Sequence, residues 1–493
     1  MVKSVIGEET QLKSAEDRLF QSQVPTQVGL VIGKLSSSLD RGFVFDLVPT
    51  PPNDAGEPAC SISDGGRDDR KKGSKGKSQM EASMLLVDRD WLAEHARQVY
   101  KMLLGGVNVV GVYIWASESS FKNSSTILWQ TVKGVAEAAP FYESDLDERL
   151  LIHISYSPRR WTCRSCMLGS SMTSTSLRAC DFKMGKPLAT LQTFRCMYSF
   201  EMRLPIFTKD APNASTLRDI LRNGISYHVK ELKGAKALVD GNLVVKDQQS
   251  TSDGLHEVEL LLPFMKDGPA EAFSMEEVAG LVIFSGAVCS SSYLCPKESI
   301  LQAISDIKGD IITSLRSRLD IMCDEAEEDV GSTVDGSGEA NSEILTEKST
   351  HQLILDELRK TCSLSFPRRV LVPWLGRIFI CDYLQPLETF EDLKDRCKEM
   401  MSMELPTDTS TILELEEEAT RLTAKSFWDV VPGKPASDSD PHIARKNGQD
   451  LSRKEGSSRS KNKNSNMIVT IAIVILAILL GLGVFVKPVS MAK

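Results

Sequence analysis

Hydrophobic positions follow different rhythms along this sequence, and each rhythm predicts a different kind of element. Short runs dense in β-branched and aromatic residues read as strands at 28–32, 43–47, 107–115 (VNVVGVYIW) and 150–157 (LLIHISYS). Between them, 89–104 places Leu92, His95, Ala96, Val99 and Leu103 on one helical face, and Gly105-Gly106 stops the helix. A second helix over 127–138 gathers Leu128, Val132, Val135 and Ala139 near one face. The order β-β-α-β-α-β predicts a mixed sheet covered by helices.

Further along, alternation takes over. Residues 195–204 turn Cys196, Tyr198, Phe200, Met202 and Leu204 inward and Ser199, Glu201 and Arg203 outward. The pattern repeats over 257–264 with Val258, Leu260, Leu262 and Phe264, and 281–288 (LVIFSGAV) is another strand. A long helix over 298–321 follows. Ile300, Ile304, Ile307, Ile311, Leu315 and Leu319 form its stripe, with Lys308, Asp310, Arg316 and Arg318 off it. A short amphipathic helix is expected at 351–360, then a strand entering a turn at 366–374 (FPRRVLVPW). Three segments carry no apolar period and read as spacers: an insert at 53–79, an acidic Gly/Ser-rich linker at 324–343 and a polar tether at 432–466.

The last rhythm is none at all. Residues 467–486 (MIVTIAIVILAILLGLGVFV) contain no charge, and fourteen of the twenty are Ile, Leu, Val or Phe. As a helix this run spans roughly 30 Å, the thickness of a bilayer's hydrocarbon core. It predicts a tail anchor in which Met467, Ile471, Ile475, Leu479, Leu482 and Val486 mark the span. Between Leu451 and Asn466, Arg453, Lys454, Arg459, Lys461 and Lys463 stand against the single acid Glu455, while only Lys487 and Lys493 follow the span. The positive-inside bias then puts the long N-terminal part in the cytosol. The amino end offers no apolar stretch long enough for a signal peptide. On that topology the sequons at Asn123 and Asn213 stay unglycosylated.

Composition narrows the function. At 41% apolar and 25% charged residues, the chain is ordinary globular material. A net charge of −9 argues against a nucleic-acid binder, which needs a basic excess to displace counterions. Eleven irregularly spaced cysteines fit a reducing compartment better than a disulfide framework.

Catalytic patterns are missing. The six histidines (His95, His153, His228, His256, His351 and His442) are scattered, with no HxH or HExxH. No phosphate loop and no GxSxG elbow occurs. Cys163 and Cys166 have a metal-like spacing, yet Cys180 and Cys196 downstream are too far apart to supply the second tight pair of a structural zinc. No catalytic residue, metal ligand or cofactor is therefore expected. The rival reading is a membrane-anchored hydrolase or isopeptidase with Cys163 or Cys166 as nucleophile and His153 nearby. Vesicle-fusion machinery is disfavoured, because no heptad repeat precedes the anchor.

Two resemblances emerge from these residues. Val28-Gly-Leu-Val-Ile-Gly33, the helix ending in LLGG, and Val109-Val-Gly-Val-Tyr113 resemble the opening strands, first helix and central strand of the MPN domain. In active members the corresponding Gly-x-Tyr leads into His-x-His; here those positions hold Ile114 and Ala116, and no Ser-x-x-Asp directly follows them to complete the site. The resemblance implies a catalytically dead copy that pairs with another MPN-like partner. His95, Val99 and Leu103 would be its docking surface, unless they face their own core.

The second resemblance covers most of the chain. LLVDRDWLAEHARQVYKMLLGGVNVVGVYIWAS, PKESILQAISDIKGDIITSLRSRL, FPRRVLVPW and the terminal anchor, in that order, are similar to the odorant-response-abnormal protein 4 family. The resemblance implies an endoplasmic-reticulum adaptor that binds the protease specific for the ubiquitin-fold modifier. It also implies a role in maturation and trafficking of multipass membrane clients. The expected class is α+β: an MPN-like mixed sheet with flanking helices at 24–157, a β-rich region closing with a long helix at 158–323, and the linker at 324–343. A helical and FPRRV-containing segment at 344–431, the tether at 432–466 and the span at 467–486 complete it.

Overall fold

In the computed structural model, residues 2–36, 38–63, 83–141, 148–169, 171, 173, 176–207, 217–249, 254–263, 278–332, 367–385, 387–405, 408–416 and 421–426 are described. The chain opens with strand β1 (Ser4–Glu8) and helix α1 (Glu9–Gln21), followed by β2 (Gln27–Ser36) and β3 (Arg41–Pro49). A small ribbon, β4 (Cys60–Ser63) with β5 (Met84–Val87), leads into α2 (Arg89–Met102) and β6 (Asn108–Trp115). Then come α3 (Glu118–Asn123), α4 (Ser125–Ala138), β7 (Glu148–Tyr156), β8 (Arg159–Met167) and β9 (Leu177–Gly185).

These strands do not form the MPN-like sheet that the first resemblance implied. They close into a seven-stranded barrel in the order β1-β3-β2-β6-β7-β8-β9. Closure depends on β1, which runs parallel to both β3 (Val5 beside Gly42) and β9 (Val5 beside Phe182). Because successive side chains on a strand point to opposite faces, each barrel strand serves two cores. Val5, Val31, Val44, Val110, Tyr113, Leu150, Ile152 and Ile154 fill the interior cluster, together with Leu12, Ala15 and Leu19 from α1. Val28, Leu30, Ile32, Val109, Val112 and Ile114 face outward under α2 and α4. The barrel thus draws strands from Ser4 to Gly185, beyond both ends of 24–157.

The second half builds a six-stranded sheet. Its strands are β10 (Gln192–Phe207), β11 (Lys236–Val239), β12 (Asn242–Leu243), β13 (Leu255–Leu261), β14 (Val278–Leu294) and β17 (Arg421–Ser426), in the order β12-β11-β13-β10-β14-β17. Helices α5 (Leu217–Gly234) and α6 (Ile300–Ser332) cover one face. The alternation of 195–204 holds: Cys196, Tyr198, Phe200 and Met202 are buried against Leu221, Ile225, Ile304, Ile307 and Ile311. A hairpin of β15 (Arg368–Leu375) and β16 (Ile378–Leu384), followed by α7 (Phe390–Met401), packs onto α2.

The α+β class is as expected, and several boundaries shift. The insert at 53–79 contains an ordered strand, Cys60–Ser63, because its partner lies just before α2. Helix α6 runs to Ser332, through the start of the expected linker. The 351–360 helix, the tether and the 467–486 span lie outside the described residues. Among the described residues no helix is long and apolar enough to cross a membrane.

Candidate functional site

The three candidate docking residues belong to the chain's own core. His95 and Val99 sit on the inner face of α2, and Leu103 follows its last turn; all three are buried. The Nε2–H of His95 donates to the Met400 carbonyl at 2.8 Å, which fixes the tautomer and leaves Nδ1 to accept from Thr50 Oγ1 at 3.1 Å. One imidazole therefore ties β3's exit, α2 and α7 together. Burial pushes its pKa below the usual 6.5, against the opposing pull of the Met400 carbonyl. The folded state then binds fewer protons than the unfolded state, so stability is complete above about pH 6.5 and falls as acid is added. Wild type should lose more stability than His95→Gln between about pH 7.5 and 5.5. Equal loss, read from denaturant midpoints at each pH, would refute a neutral buried His95.

The positions that carry zinc ligands in active MPN enzymes are filled with apolar groups. Ile114 and Ala116 are both fully buried under α3 and α4. Their neighbour on the adjacent strand is His153, whose Nε2–H donates to the Ala116 carbonyl at 3.0 Å and whose ring stacks on Phe121 at 4.0 Å. Burial lowers its pKa as well.

Cys163 and Cys166 lie on one strand, β8, three residues apart, so they point to opposite faces. Cys163 joins the barrel interior and Cys166 the outer core. They cannot close a chelate together. Cys163 instead faces Cys180 across the β8–β9 pairing, while Cys196 lies in the second sheet. The Cys180 thiol and burial push the Cys163 pKa well up, and burial does the same to Cys166. A nucleophilic thiol needs the reverse environment. Among the described residues no group of three or more His, Cys, Asp or Glu side chains could hold a metal.

A cleft of about 550 Å³ opens where the barrel meets α6, beside Lys34, Tyr100, Gly106, Asn108 and Asp306. Gly105 and Gly106 adopt φ of +70° and +80°, and a Cβ on Gly106 would stand 2.2 Å from Asp306 Oδ2. Positive φ at both positions, with Tyr293 and Ser291 of β14 close to Gly105 and Asp306 of α6 close to Gly106, selects glycine in the LLGG turn. Lys34 is almost fully buried, with its ammonium 2.8 Å from Asp306, 3.3 Å from Glu298 and donating to the Tyr293 carbonyl at 2.9 Å. Burial alone would lower its pKa, but Asp306 and Glu298 outweigh burial and hold it above the ordinary lysine value. This charged triad clamps the barrel to the second half. Sequence reasoning missed it, since a lone Lys in a strand pattern carries no signal of its distant acids.

The family model described as ODR4-like (Odorant response abnormal 4-like) matches residues 29–412. The chain belongs to this family. Among its relatives, the protein odr-4 homolog of Xenopus laevis is 22% identical over 410 residues, covering 79% of this chain and 81% of the relative. The Homo sapiens homolog is 23% identical over 409 residues (78% and 80%), and that of Dictyostelium discoideum 24% over 409 residues (80% and 79%). Among solved structures, the crystal structure of UfSP from C. elegans is similar at TM-score 0.38 and 7% identity. That match covers 84% of this chain and 58% of the other. A likeness so slight bears on neither fold nor partner. The ODR4-like match starts within β2 and ends after α7, so it includes the LLGG turn, the Lys34 clamp and the FPRRV hairpin.

Proposed function

We propose that this ODR4-like protein is a non-enzymatic, tail-anchored adaptor of the endoplasmic-reticulum membrane. Its folded body faces the cytosol, where it recruits or stabilises a soluble partner, the protease specific for the ubiquitin-fold modifier. In that position it assists maturation, trafficking or localisation of multipass membrane proteins. The observation that carries the reading is the uncharged run at 467–486, preceded by a polar, basic tether. Tethering raises the local concentration of a bound partner without any new contact. Family membership supports the trafficking role, and the buried, pKa-raised thiols of Cys163 and Cys166 disfavour the hydrolase alternative.

Expressed in cells, the full chain should stay in the membrane fraction after alkaline carbonate extraction, with Asn123 and Asn213 free of sugar. Deleting 467–486 should move the body to the soluble fraction. Sugar on either asparagine, or a truncated body that remains carbonate-resistant, would overturn the topology. Affinity purification from detergent-solubilised membranes tests the partner: absence of the modifier protease removes that part of the reading.

A further inference from the structure

The outer face of the β7–β8 hairpin carries a cationic notch that the adaptor reading does not use. Antiparallel register sets Ser155 directly opposite Arg160 and His153 opposite Thr162. Arg160, Thr162 and Arg164 alternate along β8, so all three side chains leave the same face. Helix α3 lies over that face and adds Phe121 and Lys122. Together these groups surround a depression of about 40 Å³. That volume exceeds the roughly 10–15 Å³ needed by one water, so a small polyatomic group fits.

Charge and hydrogen bonding define that group. Lys122 is partnered by Glu118 at 2.9 Å, while neither Arg160 nor Arg164 makes an ion pair among the described residues. Arg164 lies over the Phe121 ring, 5.4 Å from its centroid, a contact that holds the guanidinium at the notch without neutralising it. Three cations less one carboxylate leave two positive charges. At the floor, Ser155 is only 3% exposed, and its hydroxyl has no hydrogen-bond partner among the described residues. A buried hydroxyl left unpaired carries a desolvation penalty, so its retention beside two free guanidinium groups marks a place for an acceptor.

We propose that this notch binds a phosphate group, either free phosphate or the phosphate of a modified side chain. A dianion balances the charge, where a carboxylate would leave one cation unmatched. Its tetrahedral oxygens accept from Arg160 and Arg164 on one side and from Ser155 beneath, and guanidinium forks suit such oxygens.

The full chain in detergent is titrated with sodium phosphate, O-phosphoserine or sodium acetate at matched ionic strength. Binding is read by calorimetry and by the shift in melting temperature. Phosphate or phosphoserine should bind saturably, and the tighter of the two identifies the source. Ser155→Ala should weaken binding about tenfold while leaving melting in chloride unchanged, because the hydroxyl has no partner to lose. The double variant Arg160→Gln/Arg164→Gln should abolish binding. The proposal is overturned by no phosphate response in wild type, by acetate acting as strongly as phosphate, or by an undiminished response in the double variant.

Discussion

Arg369→Ala is expected to destabilise the folded body by about 3–5 kcal/mol, the cost typical of removing one member of a buried ion pair. Arg369 leaves β15 and reaches Asp310 on α6, with Nη2 2.6 Å from Oδ1 and Nη1 3.1 Å from Oδ2. The same guanidinium donates to the Cys289 carbonyl on β14 at 2.9 Å. Both partners are buried, so truncation leaves the Asp310 carboxylate without its counter-charge in an apolar setting. Replacing both by apolar groups of similar volume, Arg369→Met with Asp310→Leu, should cost far less, because no orphan charge remains. Denaturant midpoints of the three variants decide the matter. A single-variant loss below about 1 kcal/mol would place the pair in a solvated setting instead.

That junction shows where pattern reading stops. The stripe from Ile300 to Leu319 was legible, because a helix covered on one side repeats its apolar residues every three to four positions. Asp310 and Arg318 lie off the stripe, yet both are buried. Arg318 pairs with Glu416 at 2.5 Å, and Asp310 meets Arg369 from a hairpin almost sixty positions later. Helix α6 is covered on more than one side, and a charge buried by a distant partner looks the same in sequence as one in water. Single-residue types reveal exposure only statistically.

Barrel closure was hidden for a related reason. Strands β2, β3, β6 and β7 are dense in β-branched residues, which made them readable. β1 is only SVIGE, and β8 (RRWTCRSCM) turns polar groups to one face, so neither stands out. The parallel pairing of β1 with β3 and β9 is a long-range contact that no local period encodes. The phosphate notch was invisible on the same ground. Ser155, Arg160 and Arg164 become one surface only once the β7–β8 register is fixed, and a slip of one residue would send them to opposite faces. The absence of histidines at Ile114 and Ala116 was readable directly, because there the motif itself is local.

Gly111→Ala should be the other severe substitution, at about 3 kcal/mol or more. Gly111 lies in β6 opposite Leu150 of β7, and a Cβ built there stands 2.0 Å from the Leu150 carbonyl oxygen and 2.7 Å from its carbon. Those are backbone atoms held in the barrel, so no side-chain rotation relieves the contact. The parallel β6–β7 pairing must open, loosening the strand whose Ala116 end receives His153. Gly134→Ala supplies the contrast: on α4 its Cβ meets nothing within 4 Å, and alanine should stabilise that helix by up to about 1 kcal/mol. Hydrogen exchange should show faster amides in β6 and β7 for Gly111→Ala alone. If both alanine variants shift the midpoint in the same direction by similar amounts, the close approach of the two strands is not what selects glycine at 111.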